Sequence, residues 1–540
     1  MNIDADKESP KTLAVRIAET MQARGVKRMF GIPGGGSSLD LIAAAADLGI
    51  EFILCRTEAS AGIMAAVTGE LTGIPGIVLT GIGPGAASVV NGVAYASLER
   101  APVIIFTDAH NESATSPPHQ IFDQQSLFAP ISKAQQRLMP SNGATSFERL
   151  FDLATEEPPG PVHIDLSAQD AGAESLPATP NDFSNLPEID PETIETARRR
   201  IAAAKRPVMI IGLQCRAAHR AASANRLARS LNGPVLTTYK AKGVLPDTDP
   251  KNIGLYTGAK LDNTVLTEAD LIIFCGVDPV EMIPGNWYHN VPVIVLSETP
   301  RLSWPFNPDP ELAGSISELA DFLAKQSSGS EWAGEDISGH KIRIRHGVTN
   351  NIANGRSPDE IVDAIISAAP RGARLTVDAG AHMFSAMTRW PANQPHDVLK
   401  SNGLSTMGFA LPAALASSLN EPNCPTIAII GDGGMMMSLA ELSTAARLGV
   451  ELNVVVFNDA ALSLIDIKQQ RQQRPPIGVR YPQVDFAVTA RGLGCNAWKV
   501  GAQDPLEFAL AEAFQTEGPT LVDVTVDPSG YGNQLSALRG

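Results

Sequence analysis

The sequence predicts an α/β protein built of three parallel-sheet domains, and three observations lead there. One pattern recurs along the chain: a short β-branched apolar run, a glycine turn, then a stretch of helical period. Two stretches rich in Pro, Gly, Ser or acid, 171–193 and 326–340, read as interdomain linkers and cut the chain into rough thirds. The first and last thirds also echo each other. PGIVLTGIGPG (75–85) and APVIIFTDA (101–109) are spaced like TIAIIGDGG (426–434) and LNVVVFNDA (452–460), with 26 positions from Ile82 to Asp108 and 27 from Asp432 to Asp459. A chain of 540 residues exceeds one hydrophobic core. The expected boundaries are 1–172, 190–326 and 345–540.

In chain order, FILCRT (52–57) reads as a strand leading into a helix over 59–70, followed by the strands within 75–85 and 101–109. The middle third carries PVMIIGL, GPVLTTY, DLIIFCG and PVIVLS, the signature of another Rossmann-like sheet. In the last third, TIAIIG leads through glycines into a helix over 435–447 and then the strand 452–457. Runs this continuously apolar belong to parallel strands covered on both faces, so all three domains are expected to be Rossmann-like.

Composition narrows the partners. Hydrophobic residues at 44% and charged residues at 19% are ordinary for a soluble globular protein. No apolar run reaches membrane-spanning length, and the first residues lack a basic-then-apolar leader, so no membrane partner and a cytoplasmic location are expected. The five cysteines show no CxxC spacing, as expected of reduced thiols. A net charge of −16 argues against nucleic acid or an anionic lipid surface as partner and leaves a small-molecule substrate.

The richest chemistry lies in Gly431-Asp432-Gly433-Gly434. A strand ending at Ile430 and turning through glycines into a helix leaves backbone N–H groups for a phosphate. Asp432 repels a phosphate unless a hard dication sits between them. The next strand ends in Asn458-Asp459 and brings a second carboxylate to the same sheet edge. Two oxygen ligands at neighbouring strand ends, with diphosphate and water, suit an octahedral Mg²⁺. A lone GDG would be only a turn; the matched second strand favours the metal site.

GDGGMMMSLAELSTAARLGVELNVVVFND resembles the thiamine diphosphate-binding motif of the acetolactate synthase-like enzymes, and the similarity extends over nearly the whole chain. The resemblance implies thiamine diphosphate and Mg²⁺ as cofactors. It assigns the metal to Asp432, Asp459 (an Asp where many relatives have Asn) and the carbonyl of Ala461. LKSNGLSTMGFALPAALA (399–416) is similar to the segment that supports the bent cofactor, which implicates Met407. VDAGAHMF (377–384) implicates Gly380, Ala381 and His382, and the motif itself Gly431, Gly433, Gly434 and Leu464. Arg56-Thr57-Glu58 resembles the family's Arg-x-Glu, whose Glu hydrogen-bonds the cofactor's pyrimidine ring and promotes loss of the thiazolium proton. FGIPGGGSS (30–38) resembles the Gly-rich loop facing the cofactor, with Gly34 and Gly35; its three glycines suggest open space for substrate. TGIGPG (80–85) places Gly83 at the pyrimidine.

HQIFDQQSLFAPISK (119–133) resembles a segment of benzaldehyde lyase-like relatives in which the residue five before the DQ glutamine faces substrate; here that is His119, with Gln120 beside it. The KQQRQQR run (468–474) borders the metal turn, as an anion-holding entrance or as a solvated helix face. GVDPVEM (276–282) lacks the Arg of flavin-binding relatives and no GxGxxG occurs, so no FAD is expected. The resemblance implies a homodimer or homotetramer with the active site at the subunit interface. The expected activity is cleavage or formation of a C–C bond on a 2-oxo acid, as a carboligase or decarboxylase. A hydroxy-ketone lyase or a 2-hydroxyacyl-CoA lyase ranks behind it. An inactive, thiamine diphosphate-binding regulatory relative is disfavoured by intact Glu58, Asp432 and Asp459, and a nicotinamide dehydrogenase by the missing GxGxxG.

Overall fold

A computed structural model describes residues 11–111, 119–120, 122–179, 189–283, 287–300, 303–326, 328–349, 352 and 355–539. They form two compact units, 1–184 and 185–540. The first holds one six-stranded sheet and the second holds two.

The strands of the first sheet are β1 (Arg28–Ile32), β2 (Glu51–Leu54), β3 (Gly76–Thr80), β4 (Val103–Ala109), β5 (Ala134–Arg137) and β6 (Pro161–Ser167). The second contains β7 (Pro207–Ile211), β8 (Val235–Thr237), β9 (Asn252–Leu255), β10 (Leu271–Cys275), β11 (Val293–Ser297) and β12 (Glu311–Ala313). The third contains β13 (Arg374–Val377), β14 (Val398–Lys400), β15 (Thr426–Gly431), β16 (Asn453–Asn458), β17 (Asn496–Val500) and β18 (Thr520–Thr525). Every strand pair in these sheets is parallel.

The echo between the outer thirds is a repeat of topology. The first sheet runs β2-β1-β3-β4-β6-β5 and the third runs β14-β13-β15-β16-β18-β17, the same winding. The middle sheet runs β12-β11-β10-β7-β8-β9, which is the dinucleotide-binding order. All three are Rossmann-like, but only the middle one is wound in the Rossmann order. In the outer sheets the winding reverses between β1 and β3 and between β13 and β15. Ligands of open parallel sheets sit in the crevice beyond such a reversal.

Strand β2 is shorter than FILCRT suggests and stops at Leu54, because it lies at the sheet edge with alternate residues exposed. The helix after β15 begins at Asp432 rather than 435 and comes as Asp432–Ser438 and Glu441–Leu448. Leu439 and Ala440 keep helical dihedrals, so the expected single helix survives with one loosened turn. The stretch 326–340, expected to be a linker, turns into the helix Gly334–Gly347 at its second half; Trp332 anchors it by donating to the Pro207 carbonyl. Residues 180–188 of the other expected linker lie outside the described residues. Among the described residues no helix is long and apolar enough to cross a membrane.

In the first unit a backbone-to-backbone contact sets the position of the helix that Glu58 opens. The helices Glu58–Thr72 and Pro84–Leu98 meet at Gly62 and Gly92, where a Cβ on Gly92 would lie 2.6 Å from the Gly62 Cα and 2.9 Å from the Ile63 nitrogen. Backbone cannot swing aside as a side chain can, so Gly92→Ala forces the helices apart. It is expected to cost about 1–3 kcal/mol in thermal or urea unfolding. An unfolding midpoint equal to that of the unsubstituted protein would show that the helices separate freely.

Candidate active site

The residues that the sequence assigns to the two ends of the implied cofactor fall into two groups, one in each unit. In the second unit, the crevice between β13 and β15 opens into a cavity of about 670 Å³. It is lined by Ala379, Gly380, Ala381 and His382 after β13, by Gly431–Gly434 after β15, and by Asp459 and Ala461 after β16. Met407 and Leu464 line it as well. All eleven residues assigned to the diphosphate and metal end therefore share one cavity.

Two carboxylates dominate the electrostatics of this cavity. Asp432 is buried; its Oδ1 accepts from the Gly433 N–H at 2.7 Å and the Tyr481 hydroxyl at 2.8 Å, while its Oδ2 is buried with no partner. Asp459 accepts from the Ser463 hydroxyl at 2.5 Å and the Ala461 N–H at 3.2 Å. Burial pushes the Asp459 carboxyl up to about 7, and the like charge of Asp432 adds to this. Burial raises Asp432 also, offset in part by Tyr481 and the N–H groups of Gly433, Ala460 and Ala461. Ala460 sits in the left-handed region (φ 57°), which folds the backbone so that Asp459 and Ala461 both reach the cavity. A buried carboxylate with an unsatisfied oxygen beside a second, half-buried one is costly alone and favourable around a divalent cation. The donor set, hard oxygens only, fits Mg²⁺. The Gly433 N–H is engaged by Asp432 rather than left free for a phosphate.

The pH dependence has a definite sign. Below about pH 4 the Asp459 carboxyl is protonated in both the folded and unfolded chain. Between there and its folded value of about 7 only the folded form keeps the proton, so stability falls as pH rises, and above 7 the penalty is complete. Cofactor-free protein is therefore expected to melt lower at about pH 8 than at about pH 5, with a shallower fall in Asp459→Asn. An unchanged slope in that variant would remove Asp459 as its source.

The neighbouring residues explain why the glycines must be glycines. Asp378, at the end of β13, accepts from the backbone N–H groups of Gly408, Phe409 and Ala410 at 3.0, 2.6 and 3.2 Å, tying β13 to the start of the helix Ala410–Asn420. A Cβ on Gly434 would lie 1.8 Å from Asp378 Oδ2. On Gly433 it would meet Leu462 at 2.8 Å and Met407 at 3.1 Å. The His382 ring lies against Gly380 and Gly431; burial drives its pKa down to about 3, so it is neutral, and its Nε2 has no partner. Sequence reasoning passed over Asp378 and Tyr481. It also left open the C-terminal helix Tyr531–Arg539, which lines the cavity through Tyr531, Leu535 and Arg539.

In the first unit, Glu58 opens its helix half-buried, and Thr57 supplies the cap by accepting from the Ser60 N–H at 3.1 Å. Capping is thus done without Glu58. A Cβ on Gly85 would lie 3.6 Å from Glu58 Oε1, which places the carboxylate beside the loop after β3. Gly83 in that loop has φ 67°, and a Cβ there would lie 2.4 Å from the Gln120 carbonyl. Gln124 Oε1 accepts from the Gly83 N–H at 2.9 Å, while its amide donates to Asp165 at 2.8 Å. Glu58, Gly83 and Gln120 are thereby gathered around one loop. His119 is exposed; its carbonyl is 2.7 Å from His110 Nε2.

The Gly-rich loop departs from expectation. Asp108, at the end of β4, accepts from the Gly36 and Ser38 N–H groups and from both the Ser37 and Ser38 hydroxyls, at 2.8–3.1 Å. A Cβ on Gly34 would lie 2.1 Å from this carboxylate and one on Gly36 within 3.0 Å, so two of the three glycines serve close packing. Only Gly35 faces open space.

Comparison with known proteins finds three family domains along the chain. Residues 11–127 match the N-terminal TPP binding domain of thiamine pyrophosphate enzymes, 194–317 their central domain and 378–524 their C-terminal TPP binding domain. The chain is 30% identical to "Acetolactate synthase, catabolic" of Raoultella terrigena over 95% of this chain and 94% of that one. It is 28% identical to "Acetolactate synthase" of Bacillus subtilis (strain 168), over 96% and 94%. It is 27% identical to "Probable 2-ketoarginine decarboxylase AruI" of Pseudomonas aeruginosa, over 93% and 91%. Three matched domains and full-length relatives of this kind lead to one conclusion: the chain belongs to the thiamine pyrophosphate enzymes, in their acetolactate synthase-like group.

Proposed function

We propose that this enzyme uses thiamine diphosphate and Mg²⁺ to cleave or form the C–C bond beside the carbonyl of a 2-oxo acid, as a carboligase or decarboxylase. The observation that carries the reading is the pair of buried Asp432, with its unpartnered oxygen, and half-buried Asp459 beside the strand-order reversal. Asp432, Asp459 and the Ala461 carbonyl hold the metal. Gly380, Ala381 and His382 flank the diphosphate, and Met407 and Leu464 supply apolar support. When bound, thiamine diphosphate supplies the carbon nucleophile and the electron sink. Glu58 holds a proton at the pyrimidine nitrogen, and His119 or Gln120 hydrogen-bonds the substrate carbonyl.

Self-association belongs to the same reading. Met436 and Met437 are 52% and 60% exposed on the helix that starts at the metal turn, and Ile465 is exposed on the cavity wall; a second copy of the chain covers them. The reading also leaves flavin out. In the middle sheet, buried Glu281 accepts from the Leu213 N–H, the Asp278 N–H and the Thr238 hydroxyl, filling the β7/β10 reversal where a dinucleotide phosphate would sit.

The deciding experiment strips the protein with a chelator, restores thiamine diphosphate with Mg²⁺, and follows CO₂ and products across a panel of 2-oxo acids. Turnover that requires both additions is expected. Failure of thiamine diphosphate to bind with Mg²⁺ present would overturn the reading.

A further inference from the structure

Part of the KQQRQQR run lies on the wall of the cavity that holds Asp432 and Asp459. The helix Ser463–Arg471 leaves the metal turn and presents Leu464, Ile465, Lys468, Arg471 and, just beyond, Gln472 to the 670 Å³ cavity. The C-terminal helix presents Tyr531, Leu535 and Arg539, one residue per turn. Arg471 joins the two helices, its guanidinium donating to the Gly532 carbonyl at 2.8 Å and the Ser536 hydroxyl at 2.5 Å. Three cations from two helices therefore converge on one cavity.

Lys468 and Arg471 are exposed and Arg539 is half-buried, so none of the three is held in place by burial. Asp466, on the same helix, is taken by Arg480 at 2.8 Å. Among the described residues no carboxylate pairs with Lys468, Arg471 or Arg539; the hydrogen-bond partners of Arg471 are neutral. The carboxylates lining the cavity are Asp432 and Asp459, whose charge a divalent metal balances. Cations in the last turn of a helix gain from the helix dipole, which accounts for each singly. The dipole does not account for the convergence of two helix ends on one cavity in a chain of net charge −16.

We infer that Lys468, Arg471 and Arg539 form an anion subsite in this cavity that takes a second anionic group, a carboxylate, sulfonate or phosphonate, on the 2-oxo acid donor. The inference rests on the function proposed above and narrows its substrate class. One cation suffices for the carboxylate that every 2-oxo acid carries. Three, two of them fork-shaped guanidiniums, suit a donor with a charged tail.

The test is calorimetric and independent of turnover. Protein reconstituted with thiamine diphosphate and Mg²⁺ is titrated with butyrate, glutarate, 3-sulfopropionate and 3-phosphonopropionate. At least one dianion is expected to bind roughly tenfold or more tighter than butyrate, and the tightest names the tail. Lys468→Met and Arg539→Met are each expected to erase about tenfold of that preference. Arg471→Lys, which keeps a charge near the helix contact, is expected to lower it less than Arg471→Met. Equal affinities for butyrate and all three dianions would overturn the inference. So would variants that weaken thiamine diphosphate binding while leaving the dianion preference intact, since the cations would then serve the diphosphate. If the preference depends on these residues but no 2-oxo acid is turned over, the subsite stands and the proposed function falls.

Discussion

Glu58→Gln is expected to lower turnover of the reconstituted enzyme by about 10²–10⁴-fold, the range in which a positioned proton donor or acceptor acts. The substitution keeps size and hydrogen-bonding capacity and removes only the ability to hold or share a proton. The structure makes it a clean probe. Thr57, not Glu58, caps the helix, so the fold does not depend on the carboxylate. The helix itself is placed by the Gly62–Gly92 crossing, a backbone contact that Gln leaves alone. Glu58→Asp gives a second reading, because retracting the carboxylate by one methylene from the Gly85 loop should cost rate with the acid intact. Turnover of Glu58→Gln within tenfold of the unsubstituted enzyme would exclude Glu58 as the proton-holding residue. A shifted unfolding midpoint alongside the loss would instead point to a structural role.

Much of this architecture was legible because parallel strands buried on both faces leave unbroken apolar runs, which the eye finds easily in TIAIIG and VIIFTDA. The repeat between outer domains was legible for the same reason, and the structure adds the strand order they share. The Asp432 turn was legible because a second strand, ending in Asn458-Asp459, matches the first and brings another carboxylate to the same sheet edge. What stayed hidden are the residues acting through backbone. Asp108 and Asp378 are ordinary strand-end acids in sequence; only the fold shows them gathering N–H groups from loops 72 and 30 residues away. The same contacts explain the misread glycines. GGG suggests space, but Gly34 and Gly36 are small so that Asp108 can reach past them. Tyr481 was hidden too, since the chain returns through an isolated bridge between Ala461 and Arg480 that no local pattern announces.

The second large effect concerns Asp432, where binding and stability should move in opposite directions. Asp432→Asn keeps the oxygen that accepts from Tyr481 and Gly433, and it removes the buried one of two neighbouring like charges. Metal-free protein should therefore become more stable near neutral pH, with the Asp459 carboxyl easing downward as the like-charge part of its rise is lost, while the larger part, burial, remains. The melting difference between about pH 5 and about pH 8 should narrow with it. Affinity for Mg²⁺ with thiamine diphosphate should nonetheless fall by roughly 100-fold or more, because the unpartnered Oδ2 is the atom a cation would claim and an amide brings N–H or weaker oxygen in its place. The two readings are a melting curve without cofactor and a cofactor titration followed by intrinsic fluorescence. A variant both less stable and still tight-binding would mean that the Asp432 carboxylate is a structural acid satisfied by its neighbours. A variant more stable and unable to bind would mean that this fold tolerates a standing repulsion in order to hold its metal.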